Sequence, residues 1–403
     1  MKWEKVKLGE LYEVHNGLSK AGKFFGEGYP FLTFSTVFNN YFIPKQITDL
    51  VQSTEKEQES YSIRRGDVFV TRTSETSDEL GMSCVALKDY PMATYNGFTK
   101  RMRPITNRVL PEYIGYYMRL PNFRGEFRAF STMTTRASLR NEDLLGLEVK
   151  LPSIEIQKQI ADILSAYDDL IENNQKQIKL LEEAAQRLYK EWFVDLHFPG
   201  HENTKIVDGV PEGWSIYPFS SKVDIMSGGT PKTSIPDYYN GKIPFYTPKD
   251  NDGAFFAYKT QMNITEGGLK NCNSRLYPPK TVIITARGTV GKTTILAVPM
   301  AMNQSCYALK MKENDAPYYL FFALNNEIKA LQTMANGGVF NTIIGKTFDS
   351  INIQIPKNPL IYGFEETVRP FMEQIKNKLQ ANLKLVEARD RLLPKLMNGE
   401  VEA

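Results

Sequence analysis

The chain has 403 residues, of which 42% are hydrophobic and 24% are charged, and its formal net charge is +3. This length is sufficient for two or three domains with hydrophobic cores, and the composition excludes an intrinsically disordered chain. The small net charge argues against a uniformly basic nucleic-acid-binding surface but is compatible with local basic patches.

Membrane and secretion signals are absent from the sequence. No apolar run approaches the roughly 20 residues that a membrane helix needs, and the N-terminal MKWEKVKLGE lacks the apolar core of a signal peptide. Cys84, Cys272 and Cys306 form no CxxC motif, which is typical of reduced thiols. We therefore expect a cytoplasmic protein.

Two histidines have a spacing that metal sites on helices use. His197 and His201 are four residues apart, but Pro199 and Gly200 lie between them and would break the helix that gives this spacing its meaning. The sequence therefore predicts no metal site.

Residues 1–152 and 199–356 show the same order of predicted elements, so the chain contains an internal repeat. Each repeat contains a tryptophan, Trp3 or Trp214, followed by an amphipathic stretch that ends in glycine. Large aromatic side chains dominate core burial, so the two tryptophans are expected to anchor cores. In the stretches that follow, Leu8 matches Phe219 and Val14 matches Ile225.

Short runs of β-branched and aromatic residues, bounded by glycine and proline, then predict matching strands, followed by a short helix and a last strand before proline. The matching ranges are 29–33 with 243–247, 67–71 with 281–285, 111–120 with 317–325, and 147–152 with 351–356. Each repeat is therefore expected to be an α+β domain built on a strongly bent sheet.

A helical region follows each repeat, at residues 153–198 and 357–403. Residues 153–194 contain no glycine or proline and carry apolar residues at alternating steps of four and three, which is the coiled-coil pattern. The second helix, from about 365 to 393, shows the same pattern and is predicted to be shorter, closing around Pro394 and Gly399. The predicted seam residues are Ile160, Leu164, Tyr167, Ile171, Asn174, Ile178, Leu181, Leu188, Ile375, Leu379, Asn382 and Val386.

The two seams are related by one offset, 208 residues from position 160 to position 368, which also relates Asn174 to Asn382. We expect the helices to pack antiparallel, with the two asparagines fixing their register. The alternative is that both asparagines are exposed. About 35 helical residues span about 50 Å, so domains at opposite ends of such a rod would reach DNA about one and a half turns apart. Arg389 interrupts the second apolar seam.

Residues 286–293 nearly match a phosphate-binding loop. The motif requires glycine where Ala286 stands, and it must open a helix, whereas the β-branched run from Thr293 to Val298 predicts a strand. A hairpin tip that presents Arg287, Thr289 and Lys292 to DNA is the better interpretation. A solvated basic turn is the alternative. Further basic or polar candidates for DNA contact are Lys20, Lys23, Arg72, Thr73, Lys100, Arg101, Arg103, Arg136, Lys232, Thr233 and Asn341.

Four short motifs occur along the duplicated chain: Leu151-Pro152 with residues 156–160 before the first long helix, and residues 227–231, 287–291 and 303–305, the last of which adds Asn303 to the candidates. With these motifs the chain resembles, over its whole length, the DNA-specificity subunit of type I restriction–modification enzymes. The first repeat departs from the pattern at residues 16–19 and 71–74, and Asn358-Pro359-Leu360 interrupts the start of the second helix.

The resemblance implies a non-catalytic protein without a cofactor, in which each repeat reads one part of a bipartite, asymmetric DNA sequence. The helices would set the spacing and dock two methyltransferase subunits; whether restriction subunits join them stays open. The sequence lacks the Asn/Asp-Pro-Pro-Tyr/Phe motif of adenine methylation and a GxGxxG loop. Two alternatives remain at this point: a nucleotide hydrolase that uses residues 286–293, and a two-domain adaptor that binds no nucleic acid.

Overall fold

The computed structural model describes residues 3–74, 79–129, 137–334 and 342–402. The chain forms two compact units, one made of Met1–Leu170 with Leu385–Ala403 and the other of Ile171–Lys384. We call them the first unit and the second unit. Both boundaries fall within long helices, so each unit contains one globular region and one segment of each helix.

The first unit combines short strands with short helices. Its strands are β1 (Glu4–Lys7), β2 (Tyr12–Asn16), β3 (Phe25–Leu32), β4 (Leu50–Val51), β5 (Val68–Thr71), β6 (Thr73–Ser74), β7 (Ser83–Val85), β8 (Thr94–Tyr95), β9 (Thr99–Pro104), β10 (Ala137–Ser138) and β11 (Glu148–Leu151). Its helices are α1 (Leu8–Leu11), α2 (Phe34–Asn39), α3 (Glu55–Ser60), α4 (Pro111–Tyr117), α5 (Pro121–Ala129), α6 (Asn141–Gly146) and the start of α7 (Ile154–Phe193).

The second unit repeats the order of the main elements, with an added hairpin at its start and an added strand β17, and without counterparts of β6 and β10 among its described residues. Its strands are β12 (Ile206–Val207), β13 (Val210–Pro211), β14 (Ser215–Pro218), β15 (Val223–Ser227), β16 (Tyr239–Tyr246), β17 (Phe256–Ala257), β18 (Asn263–Ile264), β19 (Val282–Thr285), β20 (Thr293–Leu296), β21 (Ala301–Met302), β22 (Cys306–Met311) and β23 (Asn352–Ile355). Its helices are α8 (Phe219–Lys222), α9 (Glu266–Lys270), α10 (Pro317–Met334), the remainder of α7 and most of α11 (Asn358–Asn398), whose last residues belong to the first unit.

The strand order of the two units is the same. The main sheet runs β2-β9-β5-β7 in the first unit and β15-β22-β19-β20 in the second, where β17 is added at the edge. A second sheet runs β4-β3-β8 or β18-β16-β21, and a two-stranded ladder joins β1 to β11 or β14 to β23. The register also matches, because Val14 pairs with Met102 and Ile225 with Leu309. The internal repeat predicted from the sequence is confirmed.

Burial explains the strands that the sequence predicts best. All four residues of β5 and all four of β19 are buried, so both faces of each strand are covered. Such strands carry β-branched side chains without polar alternation. The predicted core role of Trp214 is confirmed, because its ring lies 5.0 Å from the ring of Phe198 and 5.8 Å from that of Phe193. Trp3 packs partly buried against the core of the first unit.

Helix α7 agrees with its predicted range, but the prediction that the second helix is shorter is wrong, although Gly399 does lie directly after its last residue. Helix α11 has 41 residues and continues through Pro370 and Pro394, against 40 residues for α7. An interior proline costs about 3 kcal/mol. Burying a large apolar side chain contributes about 1.5–3 kcal/mol, and Val368, Met372 and Ile375 are fully buried around Pro370. Packing therefore outweighs the intrinsic preference of proline.

The helix segments run antiparallel within each unit. In the second unit, Asn174 Nδ2 donates to Asn382 Oδ1 at 2.8 Å, while the rings of Tyr189 and Phe364 are 5.8 Å apart. The later residue of α7 thus meets the earlier residue of α11. The pairing of the two asparagines that the seam pattern predicts is present, and both side chains are half-buried.

The first unit places the seam residue Arg389 against an acidic partner. The Arg389 guanidinium forms an ion pair with the Asp168 carboxylate, and Ile160 and Leu164 belong to one apolar cluster with Leu393. The charge that interrupts the apolar seam therefore has a partner within the helix pair. No helix among the described residues is both long and apolar enough to cross a membrane.

Candidate nucleic-acid interface

The main sheet of the second unit gathers three loops at one edge, which we call the second loop edge: residues 228–231, 286–292 and 303–305. They meet because β15 and β19 end where β20 and β22 begin. Backbone hydrogen bonds join the loops, from Gly229 N to Met302 O at 3.1 Å and from Ala286 N to Ser305 O at 2.7 Å. The three sequence motifs quoted above therefore form one surface.

The central loop is the hairpin between β19 and β20. Gly288 and Gly291 have φ angles of 79° and 80°, a left-handed conformation that glycine adopts at little cost. The buried Thr285 hydroxyl accepts from the Lys292 amide at 3.0 Å and closes the turn. Arg287, Thr289 and Lys292 carry exposed side chains, and neither Arg287 nor Lys292 forms an ion pair with a residue that the structure describes.

This hairpin does not have the geometry of a nucleotide-binding loop. The residues after Lys292 continue as strand β20, so no helix N-terminus is available to hold a phosphate. The strand predicted from Thr293 onward is confirmed over Thr293–Leu296. A hairpin that projects two cations and a hydroxyl can instead reach the phosphates and base edges of a duplex.

Glycines in the opening motif allow the loops to touch. A Cβ atom on Gly228 would lie 2.2 Å from the carbonyl oxygen of Asn303, and one on Gly229 would lie 2.6 Å from the Asn273 nitrogen. The Asn303 side chain is occupied in its own turn, because Oδ1 accepts from Ser305 N at 3.0 Å. Its exposed neighbour Gln304, which contacts the Thr230 hydroxyl, is the side chain that this turn presents to solvent.

The first unit builds the same edge, which we call the first loop edge, from residues 17–20, 72–74, 96–98 and 137–139. Arg72 N donates to Phe98 O and Leu139 N to Arg72 O, both at 3.0 Å. In the second unit, the Ala286 amide and carbonyl make the equivalent bonds to Ser305 O and Ile343 N. By strand register, Arg72 therefore stands where Ala286 stands, one position before the place of Arg287.

Sequence reasoning missed the turn that completes the first loop edge. Asn96 Oδ1 accepts from Phe98 N at 2.7 Å, as Asn303 does from Ser305. The Phe98 side chain is 55% exposed beside Arg72, whose guanidinium donates to Asn16 Oδ1 at 3.1 Å. The sequence signal was available, because Asn96 and Asn303 both stand three residues before matching strands that begin at Thr99 and Cys306.

Three basic candidates lie inside the first unit. Lys100 and Arg101, on β9, are 5% and 3% exposed. Lys100 bonds to Asn141; Arg101 donates to Ser62 O at 2.7 Å, and burial lowers its pKa. Arg103 forms a two-pronged pair with the fully buried Asp67 at 2.8 and 2.7 Å. Their internal partners argue against a direct role in DNA contact.

The remaining candidates differ in accessibility. Lys20 pairs with Glu57 at 2.8 Å, and hydrogen bonding from Lys20 and Thr54 lowers the pKa of that carboxyl. Lys23, Lys232 and Thr233 are exposed. Thr73 lies on β6 opposite Ser138. Arg136 and Asn341 lie outside the described residues.

The seam residues vary in burial along the helices. Leu164 and Ile375 are fully buried, whereas most seam positions nearer the middle of each helix are half-buried. The half-buried seam residues are Tyr167, Ile171, Asn174, Leu181, Leu188, Leu379, Asn382 and Val386. On the outer faces, Leu170 is 53% and Leu180 is 64% exposed. The histidine rings of His197 and His201 lie 5.4 Å apart.

Known proteins are similar to this chain over nearly its whole length. The chain is 27% identical to the type I restriction enzyme MjaIX specificity subunit of Methanocaldococcus jannaschii, over 99% of this chain and 93% of that protein. It is 24% identical to the type I restriction enzyme HindI specificity subunit of Haemophilus influenzae, over 99% of both.

A solved structure shares the fold. The crystal structure of a type I restriction–modification S subunit from M. genitalium superposes with a TM-score of 0.56 at 16% identity, covering 98% of this chain and 96% of that one. The sequence also matches the type I restriction modification DNA specificity domain twice, over residues 1–183 and 211–380. These two matches span most of the chain and follow its internal repeat. The chain therefore belongs to the type I restriction modification DNA specificity family.

Proposed function

We propose that this chain is the non-catalytic DNA specificity subunit of a type I restriction–modification complex. The observation that carries the proposal is the pair of loop edges. They share strand order, register and backbone bonding but present different side chains, such as Arg72 and Phe98 in one and Arg287 and Gln304 in the other. Two similar frames with different contact residues suit a bipartite, asymmetric DNA site, because base-edge contacts determine sequence.

For individual contacts, we propose Arg72, Lys23, Lys232, Thr233, Arg287, Thr289 and Lys292 as DNA-facing residues. Arg72 is half-buried at the first loop edge, and the other side chains are exposed. Arginine and lysine can neutralise phosphates, and arginine also forms paired hydrogen bonds with guanine. Lys20, Lys100, Arg101 and Arg103 are not retained because their side chains are buried or paired within the first unit. The proposed recognition domains are residues 1–152 and 199–356.

The helical regions, residues 153–198 and 357–403, are proposed to set the spacing and to dock two methyltransferase subunits. Exposed leucines such as Leu180 and the half-buried central seam leave apolar surface that a partner helix can cover. The partners would supply methylation, and cleavage where a restriction subunit is present. Because the proposed binding partner is DNA, we propose a cytoplasmic location.

The test is a selection for bound DNA. The chain, purified with its modification subunits, is mixed with a library of random duplexes, and the bound fraction is sequenced. We expect a motif of two unlike parts separated by a gap of fixed length. A continuous motif, or no enrichment over the modification subunits alone, would refute the proposal.

The spacing role has its own test. Seven residues are inserted into α7 and seven into α11 at equivalent seam steps, which preserves the coiled-coil pattern. Seven helical residues add about 10 Å, so the tolerated gap should lengthen by about three base pairs. A selected motif with an unchanged gap would show that the helices do not set the spacing. Seven-residue insertions in the exposed loop at residues 204–205 serve as the control.

A further inference from the structure

A large cleft opens beside the 286–292 hairpin of the second unit, with a volume of about 890 Å³. Helix α7 contributes Arg187 to one wall and the end of the hairpin contributes Lys292 to another. Asn325 of α10 and Asn251 complete the rim. The cleft therefore lies between the reading hairpin and a helix for which spacing and the docking of methyltransferase subunits, but no contact with DNA, were proposed above.

The floor of the cleft is made of aromatic rings that already pack on one another. The ring of Phe322 lies 5.8 Å from that of Tyr189 and 5.6 Å from that of Phe255. All three side chains are less than 9% exposed. Little ring surface is left for a ligand, so the groups that this cleft offers are those of its rim.

The rim is cationic. Arg187, Lys190, Lys292 and Lys329 line the cleft together with one carboxylate, Glu183. Lys190 is paired with Asp195 at 2.6 Å. Arg187 and Lys292 are exposed and form no ion pair with any residue within the described ranges. Two uncompensated cations on different walls of one cleft attract a polyanion more strongly than a single charge does.

We propose that this cleft binds the phosphodiester backbone of DNA next to the bases that Arg287 approaches, with Arg187 and Lys292 contacting phosphates. The inference rests on the proposed function and deepens it. Lys292 and Arg287 belong to the same hairpin, so a duplex that is read by Arg287 brings its backbone to Lys292. The helix α7 then contacts DNA directly through Arg187, in addition to setting the spacing.

The test measures how salt affects binding by the complex with modification subunits. Dissociation constants are determined for the selected duplex and a scrambled one from 50 to 200 mM salt. Arg187→Gln and Lys292→Gln should each lower the salt slope by about one and weaken binding about eightfold near 0.1 M salt. Both duplexes should be affected equally, because phosphate contacts carry no sequence information.

Two matched variants separate charge from structure. Lys179→Gln removes an exposed lysine of α7 that lies outside the cleft, and it should leave the salt slope unchanged. Arg187→Lys keeps the charge and should retain the wild-type slope. Loss of binding in Arg187→Lys equal to that in Arg187→Gln would assign the effect to structure and overturn the inference.

The remaining outcomes are also decisive. If Arg187→Gln and Lys292→Gln leave the slope unchanged while the wild-type complex still prefers the selected duplex, the cleft is not a phosphate site, although the proposed function stands. If these variants weaken only the selected duplex, the cleft reads bases and the inference is wrong. If the wild-type complex shows no preference, the proposed function itself fails.

Discussion

In each unit the globular region packs against the long helices, but the residues that make this contact differ in polarity. In the first unit the contact is polar, because Asp168 pairs with Arg389 and accepts from the Tyr116 hydroxyl at 2.5 Å. The Arg389 guanidinium lies 4.9 Å from the centre of the Tyr41 ring. Burial would lower the pKa of Arg389, but the Asp168 carboxylate more than offsets this and raises it.

The equivalent positions of the second unit are largely apolar. Strand register equates Tyr41 with Phe255, since the neighbouring residues 42 and 256 pair with Val85 and Ile295. Counting from the first prolines of α4 and α10 equates Tyr116 with Phe322, and the 208-residue offset equates Arg389 with Leu181. Leu181 packs against the apolar cluster that includes both phenylalanines.

A second pair of equivalent residues differs in charge. Gln157 of the first unit is buried and fully bonded, accepting from Leu110 N and donating to Arg108 O and Pro152 O. Glu365 holds this position in the second unit, is 4% exposed, and accepts from Tyr319 N at 2.8 Å. At these equivalent positions the two units therefore use polar, apolar or ionisable side chains within the same strand and helix register. The shared fold depends on that register and not on any one of these side-chain contacts.

The largest expected effect is on the pH dependence of stability, when Glu365 is replaced by the glutamine that the first unit has at the equivalent position. Burial raises the pKa of Glu365 to about 7, from an ordinary value of 4.5. The folded state therefore binds the proton more tightly than the unfolded state, and stability falls as pH rises from about 4.5 to 7. A shift of this size corresponds to about 3 kcal/mol. Glu365→Gln, which copies Gln157, should remove most of this decline.

Urea unfolding of the full chain at several pH values measures the effect. Gln157→Glu is the mirror variant and should introduce a similar decline in stability with rising pH. Equal pH dependence of wild type and Glu365→Gln between pH 4.5 and 7 would show that the two positions are not ionisable equivalents.

A somewhat smaller loss is expected from Arg389→Met. Removing one partner of a buried ion pair leaves the other charge uncompensated; because the Asp168 side chain is 28% exposed, we expect a loss of about 2 kcal/mol. Arg391→Met is the control, since its pair with Glu387 is exposed on both sides and contributes about 0.5 kcal/mol or less. Equal losses in the two variants by urea unfolding would contradict the structural role of the Asp168 pair.

The equivalence of the two units can be tested by replacing four residues of the first unit with those of the second. The 208-residue offset equates Asp168 with Lys376. Tyr41→Phe, Tyr116→Phe, Asp168→Lys and Arg389→Leu together therefore give the first unit the residues of the second. If the frames are equivalent, this fourfold variant should be more stable than Arg389→Met alone. A fourfold variant less stable than the single one would show that the two junctions are packed differently despite their shared register.

These features also mark how far the sequence predicts the structure. Strands β5 and β19 and helix α7 are predictable, because their apolar patterns are local. The full length of α11 is not, because Pro370 and Pro394 disfavour helix locally and only the tertiary burial of residues such as Val368 and Leu393 overrides them. Burial of Arg101 is equally hidden, since it depends on the Ser62 carbonyl, which lies far from it in sequence.

The candidate interface also contains some features that the sequence predicts and others that it does not. The glycine-containing hairpin with Arg287 is predictable from its turn residues and flanking strands. The Asn96 turn was missed because the loop residues of the two repeats differ while only the asparagine is shared. The correspondence of Arg72 with Ala286 likewise requires the strand register, which no short motif provides.

A tenfold loss of base discrimination is expected when an arginine that only one loop edge carries is removed. Arg287→Ala should reduce discrimination at one part of the bipartite site by about tenfold, within the 1–3 kcal/mol of a paired arginine–guanine contact. Arg72→Ala should affect the other part. Selection from random duplexes with each variant complex measures both losses. A loss spread over both parts in either variant would contradict the assignment of one loop edge to each part.

The smallest expected effect concerns the place where equivalent residues of the two repeats touch. Asn174 and Asn382 bond each other within the second unit. A single Asn382→Leu change leaves Asn174 without its partner and should cost about 1 kcal/mol, whereas Asn174→Leu with Asn382→Leu should be at least as stable as wild type, since seam asparagines fix register at a cost in stability. The measurement is a double-mutant cycle by urea unfolding, with a coupling energy of about 1 kcal/mol expected. Additive losses would mean that the two half-buried amides are solvated independently, and that the helices are held in register by their apolar steps and the Asp168–Arg389 pair instead.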